Sequence, residues 1–227
     1  LVQRFDPSTA LETFAEREVT VVPGAPQVWS ALAQMPDNEC KVLSQLRVAL
    51  TGAAKMPEQV TNQLKDRYGL VVHEGYGLTE SSPVVTTSIN GSHKVGSIGK
   101  PLQEVSLRLV DEHGDDAEEG DSGEIWVRGE NVFAGYYNDQ EATDRVLTAD
   151  GWLRTGDIAV KDADGDLFLV DRMKDLIIVS GFNVYPAEVE QVLLAHSAID
   201  QAAVVGVSHP HTGEAVRAYV VLHNGVH

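Results

Sequence analysis

Three short stretches of the sequence combine residue types that could do chemistry. The first is Gly75-Tyr76-Gly77-Leu78-Thr79-Glu80. Its glycines would let backbone approach a ligand closely, the tyrosine offers a face on which a base could stack, and Thr79 and Glu80 supply a hydroxyl for phosphate and a carboxylate for a metal ion. A glycine-containing turn with one packed tyrosine accounts for the same six residues equally well. The second stretch is Trp152-Leu153-Arg154-Thr155-Gly156-Asp157. A carboxylate fixed after a glycine turn suits the vicinal hydroxyls of a ribose, as the acidic residue of dinucleotide folds does; taken alone, an aspartate in a surface turn is the more ordinary explanation. The third is Asp171-Arg172-Met173-Lys174-Asp175, followed by Leu176-Ile177-Ile178-Val179-Ser180-Gly181-Phe182-Asn183. A charged segment between two differently patterned regions is either a hinge or a plain linker, and Gly181 either admits the passage of a ligand chain or marks a strand bulge. His209-Pro210-His211 brings two imidazoles together without a third ligand at useful spacing, which fits a solvent-facing loop better than a metal site.

Such groups need a scaffold, and the periodicity of apolar residues supplies one. The first part of the chain alternates helix and strand: a helix over 7–18 with Ser8 as its cap, a β-branched run over 19–22, a helix over 27–34, a buried strand over 47–51, a helix over 57–68 and a short strand over 70–73. This βαβ rhythm implies a mostly parallel sheet whose functional loops leave the carboxyl ends of the strands. From about Val95 short strands separated by Gly-Asp and Asp-Gly turns follow, over 106–110, 124–128, 158–161 and 166–170, an antiparallel and barrel-like section. After Met173 a strand over 176–179, a helix over 187–195 and strands over 202–207 and 215–222 suggest a separate small α/β domain. Its layer is unfinished where the sequence stops, so the sequence reads as a truncated one.

Composition narrows the function. The 43% apolar and 22% charged content of these 227 residues is that of a globular protein. A formal net charge of -17, without clustered Lys and Arg, argues against nucleic acid as a partner. Much of the acidity lies in Asp111 to Asp121, which between apolar strands fits a solvated hairpin tip rather than a metal site. Cys40 is the single cysteine, so no intrachain disulfide forms and a reducing, cytoplasmic location follows. No apolar run approaches the roughly 20 residues of a spanning helix, which leaves peripheral membrane contact open, as it leaves the oligomeric state.

In this order the three stretches resemble the adenylate-forming superfamily of acyl-CoA synthetases, luciferases and peptide-synthetase adenylation domains, over essentially the whole chain. The string from Gly151 to Glu190, including Val179-Ser180-Gly181-Phe182-Asn183-Val184-Tyr185-Pro186-Ala187-Glu188-Val189-Glu190, is especially similar to the AMP-forming fatty-acid–CoA ligases. The resemblance implies a mixed α/β and β fold: an αβ sheet segment of the large AMP-binding domain over 1–94, a distorted β-barrel-like subdomain over 95–171, and a truncated small C-terminal domain over 172–227. It implies an acid–thiol ligase that uses ATP, Mg2+ and coenzyme A. A carboxylate attacks the α-phosphate of ATP to give acyl-adenylate and pyrophosphate, the thiol of coenzyme A then displaces AMP, and the small domain rotates between the two steps.

By the same resemblance Tyr76, between Gly75 and Gly77, stacks on adenine, Thr79 contacts phosphate and Glu80 holds magnesium, while Gly52-Ala53-Ala54 borders adenine and the acyl pocket. Asp157 takes the ribose hydroxyls with support from Arg172, Lys174 is the hinge, and Ser180-Gly181 flanks the pantetheine tunnel. Val22-Pro23-Gly24 borders the acyl group as readily as it fills core. The sequence departs from the family in having Trp152 ahead of the ribose-binding segment, Asp171 before Arg172 and Lys174 at the hinge. Within its 227 residues there is no Thr/Ser/Gly-rich loop ending in Pro-Lys, and no Gly-Lys segment after Val221. The expectation is therefore a piece of a fatty-acid–CoA ligase that is inactive by itself. The alternatives are a ligase for aryl or short-chain acids, or a non-catalytic nucleotide-binding or interaction remnant.

Overall fold

The computed structural model describes residues 5–89, 91 and 93–223. Residues 1–4 and 224–227, with which the first and last expected domains begin and end, lie outside the described residues. Two compact units divide the chain: Leu1–Ser106, Val127–Arg145 and Asp164–Phe168 in one, Leu107–Trp126, Val146–Ala163 and Leu169–His227 in the other.

In the first unit, helix α1 (Pro7–Glu16) begins at Asp6, whose carboxylate accepts from Thr9 N at 2.9 Å. The cap is thus Asp6 and not Ser8, because Pro7 fills the first helical position and needs no N–H partner there. There follow β1 (Val21–Pro23), α2 (Pro26–Ala33), α3 (Asp37–Cys40) with a 3-10 turn over Lys41–Gln45, β2 (Val48–Thr51), α4 (Glu58–Tyr68), β3 (Val72–Gly77), a 3-10 turn over Thr79–Ser81, β4 (Val84–Thr87) and β5 (Lys100–Pro101). Gly69, at φ 65°, ends α4 in the left-handed conformation that glycine adopts without strain. The sheet order is β1-β2-β3-β4-β5. Its first three strands are parallel, with Val21 opposite Val48 and Ala49 opposite Val72, as the βαβ rhythm requires. β4 and β5 then run antiparallel.

The core of this unit lies between the parallel strands and their helices, around Trp29, Leu32, Leu43, Leu64 and Val72. Trp29 on α2 shares its indole N–H between the carbonyls of Gly24 and Leu50, at 3.1 and 3.0 Å, which fixes the helix to the ends of β1 and β2. Arg67 on α4 reaches the carbonyls of Ala33 and Met35 and the carboxylate of Asp37. It thereby satisfies acceptors that the end of α2 leaves without intrahelical partners.

The remaining elements are β6 (Ser106–Val110), β7 (Ser122–Arg128), α5 (Gln140–Val146), β8 (Leu153–Lys161), β9 (Leu167–Arg172), a 3-10 turn over Met173–Asp175, β10 (Ile177–Val179), β11 (Phe182–Val184), α6 (Pro186–Leu194), β12 (Ile199–His209) and β13 (Gly213–Leu222). The section expected to be barrel-like is an open four-stranded sheet in the order β6-β7-β8-β9. Four strands are too few to close, since a five-stranded barrel is already only partly closed. The acidic segment between β6 and β7 is an exposed turn in which Asp111 Oδ1 accepts from His113 N and Asp115 N, at 2.8 and 3.0 Å. The third sheet, β11-β10-β13-β12, is antiparallel throughout, with β12 and β13 forming a long hairpin beside α6. His209 and His211 lie at the turn of that hairpin. Among the described residues no helix is long and apolar enough to cross a membrane.

Candidate functional site

Gly75-Tyr76-Gly77, which the sequence places directly after the strand over 70–73, forms the last half of β3 itself. β4 supplies the partner, with Gly75 opposite Thr87, Tyr76 opposite Thr86, and a register shift before Gly77 meets Val84. Gly77 is a steric necessity, and Gly75 sits in a tight place. A Cβ on Gly77 would sit 1.8 Å from the carbonyl oxygen of Pro83, and one on Gly75 would sit 3.0 Å from that of Thr86. Tyr76 is 8% exposed, so most of its ring is packed in protein. Gly52-Ala53-Ala54 leaves the carboxyl end of β2 beside this strand: a Cβ on Gly52 would lie 3.3 Å from the Gly75 carbonyl, and Ala53 holds φ 70°, unusual for a residue with a side chain. The chain thus brings together Gly52 and Gly75 at the carboxyl ends of neighbouring parallel strands, where open α/β sheets place their ligands.

Beyond Gly77 the chain makes a tight turn whose hub is Ser81. Its hydroxyl accepts from Leu78 N at 3.2 Å and lies 2.9 and 3.0 Å from the carbonyls of Leu78 and Pro83. Thr79 is exposed on this turn and Glu80 is partly buried. Glu80 Oε1 accepts from the Tyr136 hydroxyl at 2.7 Å, and Glu80 O accepts from Phe133 N at 2.8 Å. The carboxylate beside the Tyr136 hydroxyl raises the phenol's pKa, because it favours the protonated donor. Sequence reasoning did not single out Tyr136; nothing local marks a tyrosine that bonds across 56 residues. It also missed Glu74, 6% exposed on β3, whose carboxylate oxygens accept from Met56 N and Gly96 N at 3.4 and 3.3 Å. Burial pushes the Glu74 carboxyl up and His73 beside it down.

Asp157 lies in the second unit, within β8 rather than in a surface turn, and is 8% exposed. Arg172, at the end of β9, approaches it with Nε 3.0 Å from Oδ1. Local geometry fixes the aspartate backbone. Gly156 turns at φ 73° and donates its N–H to Glu124 Oε1 at 2.9 Å, while Thr155 Oγ1 accepts from Asp157 N at 3.1 Å and donates to Ile125 O at 2.8 Å. Glu124 also accepts from the Trp126 indole at 2.7 Å, so one carboxylate organises this corner of the sheet.

Lys174 is exposed in the 3-10 turn that follows β9. Next to it, Asp171 accepts from Arg172 N and from Ala187 N, at 2.7 and 3.0 Å, and so ties the end of β9 to the first turn of α6. Ser180 and Gly181, at φ 52° and 86°, are the two residues of the β10–β11 hairpin turn. Positive φ at both positions is the type I′ geometry that matches strand twist, so Gly181 is accounted for by the turn. A Cβ there would meet nothing within 4 Å.

Magnesium is commonly held through one or two carboxylates together with phosphate oxygens and water. Glu80 fits that pattern: one oxygen is engaged by Tyr136, and the other has no protein partner among the described residues. Among those residues no three His, Cys, Asp or Glu side chains converge in a way that could hold a metal by themselves. A divalent ion here would depend on oxygens brought by a nucleotide.

Residues 1–137 match the AMP-binding enzyme family, and residues 188–227 match the AMP-binding enzyme C-terminal domain. The chain is 44% identical to a long-chain-fatty-acid–CoA ligase of Yersinia pestis, over 89% of this chain and 36% of that protein. It is 38% identical to 4-coumarate–CoA ligase 1 of Glycine max, over 99% of this chain and 79% of that one. O-succinylbenzoate coenzyme A synthetase of Bacillus subtilis, solved in complex with ATP and a magnesium ion, superposes with a TM-score of 0.88 at 34% identity, covering 100% of this chain and 46% of that one. The chain therefore spans less than half the length of the bacterial proteins it resembles.

Proposed function

The chain belongs to the AMP-binding enzyme family, and from that premise we propose that it serves an AMP-forming acyl-CoA ligase, with a fatty acid as the carboxylate that ATP activates and coenzyme A receives. The observation that carries this reading is Asp157: a carboxylate almost buried in a strand, its own N–H and that of the preceding Gly156 both held by side chains and its carboxylate met by Arg172. A preset carboxylate of this kind suits a pair of ribose hydroxyls. Tyr76 is assigned to the adenine base, Thr79 to phosphate, and Gly52-Ala53-Ala54 to the border of base and acyl group. Lys174 is assigned to the hinge and Ser180-Gly181 to the path of the pantetheine arm. Residues 1–171 would then belong to the large domain and 172–227 to the small one. Magnesium, when bound, offsets phosphate charge, and Glu80 is the residue of this chain that would hold it.

A second reading keeps the chemistry and changes the acid to an aryl or short-chain carboxylate. The similarity to 4-coumarate–CoA ligase 1 of Glycine max, which extends over most of that protein's length, favours it. Pyrophosphate exchange into ATP, measured on the 227 residues as they stand with a panel of carboxylates, is expected to be absent. Adenylyl transfer needs preorganised donors for the pyrophosphate and a cation at the reacting α-phosphate, and these residues contain neither a Thr/Ser/Gly-rich loop ending in Pro-Lys nor a Gly-Lys segment after Val221. Exchange above that of Glu80→Ala would overturn the expectation that these residues are inactive by themselves and would reveal the acid class directly.

A further inference from the structure

Glu80 is held from a distant segment by more than one contact. Besides the 2.7 Å bond from the Tyr136 hydroxyl to Oε1, Phe133 N donates to the Glu80 carbonyl at 2.8 Å. Asn131 Nδ2 donates to the carbonyls of Ser81 and Val84 at 3.0 and 3.2 Å. The donors themselves are fixed. The Phe133 ring meets the Tyr136 ring edge to face, with centroids 4.9 Å apart and an interplanar angle of 76°, and Tyr136 N donates to Thr143 Oγ1 at 2.9 Å. Residues 131–136 therefore grip the backbone and the side chain of the 79–81 turn together.

A glutamate on a tight turn loses considerable rotamer freedom when it is fixed. The Tyr136 hydroxyl supplies that restraint at one oxygen only and leaves the other without a protein partner among the described residues. We propose that Tyr136 is a positioning residue for Glu80: by engaging Oε1 it aims Oε2 at the divalent cation that accompanies a bound nucleotide. The inference rests on the assignment of Glu80 to the metal. Carboxylate ligands are commonly oriented by such outer hydrogen bonds, and losing one costs roughly 10–100-fold in metal affinity. Tyr136→Phe removes a single oxygen and keeps the ring that packs on Phe133 and the backbone bond to Thr143.

The test uses the whole 227-residue chain with Mn2+ as the probe, its free concentration read by electron paramagnetic resonance at saturating ATP, beside calorimetric titration of ATP in EDTA. Tyr136→Phe is expected to weaken Mn2+ binding roughly tenfold while leaving metal-free ATP affinity unchanged. Glu80→Gln should weaken it at least as much, and the double variant no further than Glu80→Gln alone. A purely structural Tyr136 would move both affinities together. Wild-type Mn2+ affinity in Tyr136→Phe, alongside weakened binding in Glu80→Gln, would overturn the positioning role and leave the metal assignment standing. Unchanged binding in Glu80→Gln, or no Mn2+–ATP binding in the wild type, would remove the metal assignment and this proposal with it. A measurement that needs no change at Tyr136 is paramagnetic broadening of its ring signal in wild-type chain carrying 13C-labelled tyrosine. Broadening that Glu80→Gln abolishes supports the proposal, and none in the wild type overturns it.

Discussion

Gly77→Ala isolates the claim that the Gly-Tyr-Gly segment is a close-packed strand end rather than a free loop. The added Cβ would stand 1.8 Å from the Pro83 carbonyl oxygen, 2.8 Å from its carbon and 2.9 Å from Val84 Cα, where real Cβ contacts essentially never fall under 3.0 Å. All three obstacles are backbone, so no side chain can swing aside, and β3 and β4 must part at the position where Gly77 faces Val84. Overpacking with a forced backbone shift costs about 1–3 kcal/mol. The displacement also strains the bonds that Ser81 and Asn131 make to Pro83 O and Val84 O, each worth about 1 kcal/mol. A loss of about 3 kcal/mol follows, or roughly a hundredfold rise in the opening equilibrium. Hydrogen exchange read by mass spectrometry over residues 72–87, beside urea unfolding of the chain, measures it. A change under about 0.5 kcal/mol, the range of an ordinary surface substitution, would refute the steric argument and the strand assignment of Gly77 with it.

Three further outcomes are expected. Arg67→Ala should lower the urea midpoint of unfolding, since charged hydrogen bonds to Ala33 O, Met35 O and Asp37 are lost together, and Arg67→Lys should rescue only part because its ammonium lacks the planar fork; an unchanged midpoint in Arg67→Ala would contradict this. Burial raises the Glu74 pKa above its ordinary 4.5, so the native state holds that proton more tightly than the unfolded chain does; Glu74's contribution is fully present below pH 4.5 and is lost as pH rises through the folded value. Glu74→Gln should accordingly gain stability relative to wild type as pH rises from 4 to 7, and a constant difference over that range would contradict the sign. Gly181→Ala should cost about 1–2 kcal/mol from its left-handed φ alone, with no steric penalty because its Cβ meets nothing within 4 Å; a loss as large as that of Gly77→Ala would show that the hairpin tip is not open.

The alternation of helices and strands from Pro7 to Val72 is legible because the longer elements carry their own apolar period and several end at proline or glycine, as at Pro23-Gly24, Gly52 and Gly69. What stayed hidden depends on partners. α3 and the 3-10 turn after it are too short for a period to register, and α5 is likewise a helix of 7 residues. Gly75-Tyr76-Gly77 looked like a turn because glycine is a poor strand residue; its strand conformation comes from pairing with β4 and from backbone too close to admit a side chain. The type I′ turn at Ser180-Gly181 was readable as a glycine site, whereas its geometry needed the strands on either side. In the candidate site Glu80 and Asp157 were visible, whereas Glu74 and the groups that support the two were not. Tyr136 and Glu124 reach Glu80 and Gly156 across 56 and 32 residues, and no local spacing encodes such bonds.

The most direct test of nucleotide recognition is calorimetric titration of the 227-residue chain with AMP, comparing wild type with Asp157→Ala after circular dichroism has established equal folding. If Asp157 takes the ribose hydroxyls, the substitution removes charge-assisted hydrogen bonds worth about 1–3 kcal/mol, and AMP affinity falls roughly 5- to 150-fold. Equal AMP affinity in the two folded proteins, or no AMP binding by the wild type, would contradict the assignment.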